Sequence, residues 1–121
     1  MATALAKEYG LAARVWLDDG RRKAREQGKP VVDNPSLDSY TISLVKKAAT
    51  YERMLHDLPP GLTEWAVHPA RGTDEWQTIE PAPGVRQTDY AFLTSPGARE
   101  ILDHEDISII DYRPLQQMWN A

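Results

Sequence analysis

The sequence predicts an α/β fold, a partial (β/α) barrel-like arrangement of about four mainly parallel strands alternating with helices. Two observations carry this. Short apolar runs recur at AARVWL (12–17), PVVDN (30–34), LTEWAV (62–67) and ISIID (107–111), and segments with helical spacing or helix-stop signals stand between them. Four strands do not close a parallel barrel, for which eight is the usual count, so the sheet would be open and its edges would call for cover or a partner. At 121 residues the chain is expected to be a single domain, 1–121, with a modest core.

Each element has a local warrant. ATALAKEYG (2–10) reads as a helix closed by Gly10. In DDGRRKAREQGKP (18–30), Asp18 or Asp19 serves as an N-cap, Gly28 as a stop, and Pro30 follows. The clearest helix follows. Leu44, Ala48, Tyr51, Leu55 and Leu58 recur at helical spacing, opposite a polar stripe of Ser43, Lys46, Thr50, Arg53 and Asp57. Pro59 and Pro60 stop this helix and Gly61 turns the chain into the next run. IEPAPGV (79–85) reads as a proline-rich loop, whereas Ser95 and Pro96 are an N-cap and first helical residue. YRPLQQMW (112–119) is a terminal helix or turn.

Composition excludes several functions. A net charge of −4, with basic residues dense only at 21–25, argues against nucleic-acid binding. The sequence holds no cysteine, which rules out disulfides and thiolate metal sites and fits a cytoplasmic protein. No apolar run approaches the roughly 20 residues a membrane helix requires, and MATALAKEYG lacks the order of a signal peptide. No phosphate loop, dinucleotide fingerprint or nucleophile elbow is present.

One residue draws chemical interest. In a strand, Glu64, Ala66 and His68 would share one face, and Thr63, Trp65 and Val67 the other. Glu64 and His68 would stand roughly 13 Å apart, too far for a direct hydrogen bond. His68 falls at the strand's C-terminal end, where parallel α/β proteins build their sites. It is a candidate general acid/base or oxyanion donor, or else a loop histidine bonded to backbone or water. His56 and His104 lie on helices with charged neighbours, and no pair of histidines stands at metal-ligand spacing.

Several separated stretches resemble one family. GLTEWAVHPA (61–70), VRQTDYAFLTSPGAREIL (85–102) and ISIIDYRPLQ (107–116) are similar to the C-terminal half of the YdjC-like (ChbG/HpnK) carbohydrate deacetylases. They match its Thr-Glu before a His-Pro, an Arg followed by an acid, a Ser-Pro opening a helix, and a closing strand with Tyr-Arg. AKEYGLAARVW (6–16) resembles the helix and strand that precede this region.

The resemblance implies a distorted (β/α) barrel and metal-dependent removal of acetyl groups from N-acetylated, chitin-like oligosaccharides. His68 then matches the catalytic histidine, and Glu64, Arg86 and Asp89 match substrate-binding positions. The family's divalent metal, Mg or Zn, is held by an aspartate of an Asp-Asp pair and two histidines. These have no counterpart here: LDDG (17–20) does not follow the family's opening strand, and no histidine precedes His56. Ala70 stands where the family often has glycine. The metal is therefore expected to be incompletely ligated by this chain, which would be inactive alone. Its partners would be an N-acetylated oligosaccharide and either a separate N-terminal half or a second copy. The alternative is a non-catalytic sugar-binding or subunit-pairing module.

Overall fold

The computed structural model describes residues 2–121. In chain order its helices are α1 (Ala2–Glu8), α2 (Asp18–Glu26), a 3-10 turn (Leu44–Lys46) running into α3 (Lys47–His56), α4 (Asp74–Ile79), α5 (Pro83–Leu93), α6 (Pro96–His104) and α7 (Arg113–Trp119). The expected α/β class and partial barrel are overturned. Among the described residues there is no sheet, and strand pairing is confined to one isolated parallel bridge between Leu37 and Trp65.

The reason lies in where the backbone donors go. PVVDN opens with Pro30 and is followed by Pro35, and neither supplies an N–H. The N–H groups of Asp33 and Asn34 both donate to Leu62 O, at 2.8 and 3.2 Å, so one acceptor is shared and no ladder forms. In the 62–68 run, Leu62 N donates to Asp33 Oδ2 at 2.7 Å and His68 N to Asp89 Oδ2 at 2.9 Å. Side-chain carboxylates thus take donors that a neighbouring strand would need. Runs 12–17 and 107–111 keep apolar side chains in the open, with Trp16 49% and Ile109 75% exposed.

The chain divides into two compact units. One comprises the residues up to Ser36, Gly61–Glu64 and Ile109–Ala121, and contains α1, α2 and α7. Helices α1 and α2 end as their glycines predict: Gly10 and Gly28 adopt φ of +64° and +69°. Leu11 N then reaches Ala6 O at 2.8 Å, and Lys29 N reaches Ala24 O at 2.9 Å. Asp18 and Asp19 occupy the first turn of α2, after Leu17 as N-cap. Buried Arg21 donates to Asp33 O at 2.9 Å. Helix α7 is fastened by Trp119 Nε1 to Pro30 O (2.6 Å) and Gln116 Nε2 to Gly10 O (2.8 Å).

The second unit comprises Leu37–Pro60 and Trp65–Ser108. Helices α3, α5 and α6 pack on a core of Tyr51, Leu55, Phe92 and Ala98, joined by Ile42, Met54, Trp65, Ile101, Leu102 and Ile107. Tyr51, wholly buried, meets Trp65 and Phe92 edge-on at centroid distances of 4.6 and 5.1 Å. Helix α6 starts as the sequence predicts: Ser95 Oγ accepts from Ala98 N at 3.2 Å. The 79–85 stretch, read as loop, holds the end of α4 and the first turn of α5. Thr73 caps α4, and Pro83 opens α5.

Candidate functional site

His68 lies in the second unit and is held from three sides. A turn supplies the first. Asp38 Oδ2 accepts from Thr41 N at 3.2 Å. Burial pushes the Asp38 carboxyl up, but the N–H groups of Ser39, Tyr40 and Thr41 outweigh it and hold the group below the usual carboxylate range. The turn sets Ser39, wholly buried, with its Oγ 3.0 Å from His68 Nδ1. It also stands the Tyr40 ring edge-on to the imidazole, at 4.5 Å between centroids.

Helix α5 supplies the second side through Asp89, which is also wholly buried. Its Oδ2 accepts from His68 N at 2.9 Å. Its Oδ1 accepts from Tyr51 OH at 2.6 Å and pairs with Lys47 Nζ at 2.6 Å, Lys47 being only 1% exposed. Lys47 Nζ also donates to Val85 O at 3.0 Å. Burial drives the Asp89 carboxyl up, yet Lys47, Tyr51, the His68 N–H and the Ser39 hydroxyl together hold it below its ordinary value. The Tyr51 hydroxyl is driven well up, by burial first and then by the carboxylate it donates to.

The third side is the loop after His68. Ala70 N donates to Arg86 O at 3.2 Å. A Cβ at Gly72 would fall 1.7 Å from Gln87 Nε2, so this loop lies close against α5.

The four candidate residues have different partners. His68 and Asp89 are bonded, but the Asp89 side chain is inside the core. Arg86, on the same helix, turns to Glu80 Oε2 at 2.7 Å and lies over the Trp76 ring at 5.6 Å. Glu64 belongs to the other unit. There it pairs with Arg14 at 2.5 Å and accepts from Tyr112 OH. Burial raises and these donors lower the Glu64 carboxyl, which ends below its usual value. Burial and Glu64 push the Tyr112 hydroxyl up to about 12.

Among the described residues, no group of three or more His, Asp or Glu side chains is arranged to hold a metal ion. His56 and His104 both hydrogen-bond Glu105 Oε1, at 2.6 and 3.1 Å. His68 is committed through Nδ1 to Ser39. The divalent metal implied by the resemblance therefore has no donor set of three among the described residues.

Sequence reasoning missed Ser39 and Tyr40 as partners of His68, and Lys47 and Tyr51 as partners of Asp89. Lys47 carried a readable signal. It sits four residues before Tyr51 on the apolar stripe of α3, where a cation has to find a buried anion.

Comparison with known proteins adds the family. No curated protein matches the sequence. A crystal structure from Enterococcus faecalis V583, of a "putative cellobiose-phosphate cleavage protein", superposes with a TM-score of 0.66 at 21% identity. The match covers 94% of this chain and 45% of that one, so this chain spans under half of the solved protein's length. The model of YdjC-like proteins matches residues 1–104, a span that takes in every residue of the His68 cluster, and on that match the chain belongs to the YdjC-like family.

Proposed function

We propose that this chain is part of a metal-dependent carbohydrate deacetylase and presents His68 to an N-acetylated sugar. The observation that carries the reading is the fixing of His68. Its main-chain N–H is bound by Asp89, its Nδ1 by Ser39 and its ring face by Tyr40, while Nε2 has no partner among the described residues. An imidazole held this way, with one nitrogen left over, is placed to exchange a proton with, or donate to, a reacting group. The reaction class is taken from the carbohydrate deacetylases that the sequence resembles. With no metal donor set among the described residues, hydrolysis by this chain alone is not expected.

A second reading, subunit pairing, is favoured by a separate observation. Trp16, Leu17, Ile109 and Ile110, on two apolar runs of the first unit, are each about half exposed or more. A second subunit would cover them.

The test is acetate release from N-acetylated chitooligosaccharides by the purified chain with added Mg or Zn. Calorimetric binding of the same sugars and of cellobiose phosphate would run alongside, with His68→Ala as control. Saturable binding without release, weakened in the variant, supports the reading. Metal-dependent release lost in the variant would refute the claim that the chain is inactive alone. Absence of both binding and release, with a dimer seen by light scattering, would favour the pairing module.

A further inference from the structure

We infer that Tyr40 is the sugar-contacting residue beside His68, its exposed ring a platform for a pyranose and its hydroxyl a hydrogen-bond partner for a sugar oxygen. The inference rests on the reading of His68 given above and supplies what that reading lacks. One free imidazole nitrogen can exchange a proton, but it cannot by itself hold a neutral oligosaccharide.

Exposure alone does not single Tyr40 out, since Tyr9 and Trp16 are more exposed. Its fixation does. Leu37 forms the parallel bridge with Trp65, and Leu37 O accepts from Ala66 N at 3.0 Å. Ser39, wholly buried, has its Oγ 3.0 Å from His68 Nδ1. Asp38 Oδ2 accepts from Thr41 N at 3.2 Å and closes the turn around Tyr40. Tyr40 therefore sits in a closed turn fastened to the 65–68 segment that carries His68. Its ring meets the imidazole in a T-shaped contact, 4.5 Å between centroids and 72° between planes. Such a contact covers one face of the phenol at most, and Tyr40 is 42% exposed. Its hydroxyl, like His68 Nε2, has no partner among the described residues.

These features match one ligand chemistry. An aromatic side chain already held in place loses little freedom on binding. A pyranose with equatorial substituents presents axial C–H bonds on its faces, and these suit the electron-rich face of a phenol. Its hydroxyls suit a phenolic O–H, which both donates and accepts. Tyr40 thus fits a gluco-configured oligosaccharide by its ring, while the acetamido group is left to His68.

The test is calorimetric titration of the full chain with triacetylchitotriose. Spectra of ¹³C-labelled tyrosine rings are recorded alongside, with Tyr40→Phe to assign the signal. Tyr40→Ala should weaken binding about tenfold. Tyr40→Phe should weaken it only about threefold, because the platform stays and one hydrogen bond is lost. Saturating sugar should shift the Tyr40 ring signals of the wild type, a response that a merely structural tyrosine would not give. Unchanged affinity in folded Tyr40→Ala overturns the inference and leaves the deacetylase reading standing. Tyr40 ring signals unmoved at saturating sugar overturn it even if Tyr40→Ala fails to fold. A wild-type chain that binds no sugar overturns both.

Discussion

Replacing Lys47 by Met tests the buried ion pair most directly. Methionine keeps an unbranched apolar stem of similar reach, so packing changes little while the cation is removed. What remains is a carboxylate that is wholly buried. Breaking one side of such a pair typically costs about 3–5 kcal/mol. Here Tyr51 OH and His68 N still donate to Asp89, which places the loss near the lower end, about 3 kcal/mol. With a urea slope of about 1.5–2 kcal/mol/M, the midpoint should fall by about 1.5–2 M at pH 7.

The pH dependence of that loss carries a sign. The folded-state pKa of Asp89 lies below its ordinary value. Its contribution is therefore complete above the unfolded carboxylate pKa and is lost as pH falls through the lowered folded value. Without Lys47, burial dominates and the carboxyl protonates more easily. The gap between wild type and Lys47→Met should thus narrow on acidification from pH 7 toward the carboxylate range. Adding Asp89→Asn to Lys47→Met should recover at least about 1 kcal/mol, because no bare charge is left inside. A midpoint change under about 0.5 M at pH 7, or a gap constant with pH, would refute the reasoning.

Two further outcomes follow from single contacts. Ser95→Ala removes the cap that accepts from Ala98 N, and should cost about 1 kcal/mol, read from the same urea titration. Glu64→Gln removes one of the two causes that push the Tyr112 hydroxyl up to about 12. An ultraviolet titration should then show one tyrosine ionising earlier in the variant, though still above the ordinary value of about 10 because burial persists.

Much of the helical content was legible. The stripe from Leu44 to Leu58 announced α3, and Gly10, Gly28 and Ser95 marked helix ends where the chain does turn or start. Helix α5 was hidden because Pro81, Pro83 and Gly84 read as loop, and because its buried stripe, Val85, Asp89 and Phe92, has a carboxylate in the middle. The strand reading failed for a different reason. A short apolar run shows that a segment seeks cover, but pairing needs a neighbour with free donors and acceptors in register. That information is not local, and in LTEWAVH the side chains of Asp33 and Asp89 took two of the donors.

Lys47, which sequence reasoning did not single out, and Asp89, the carboxylate on the buried stripe of α5, explain one another. As stability devices they are a poor choice, since an apolar pair of the same volume is often as good or better in a core. An apolar pair could not, however, accept the His68 N–H and the Tyr51 hydroxyl together. The carboxylate gathers α3, α5 and the His68 backbone, three separate segments, onto one group. Lys47 makes that group tolerable inside the protein. The buried charge is best explained by the histidine it holds, so substitutions at Asp89 that spare folding should still disturb His68 before they disturb the core.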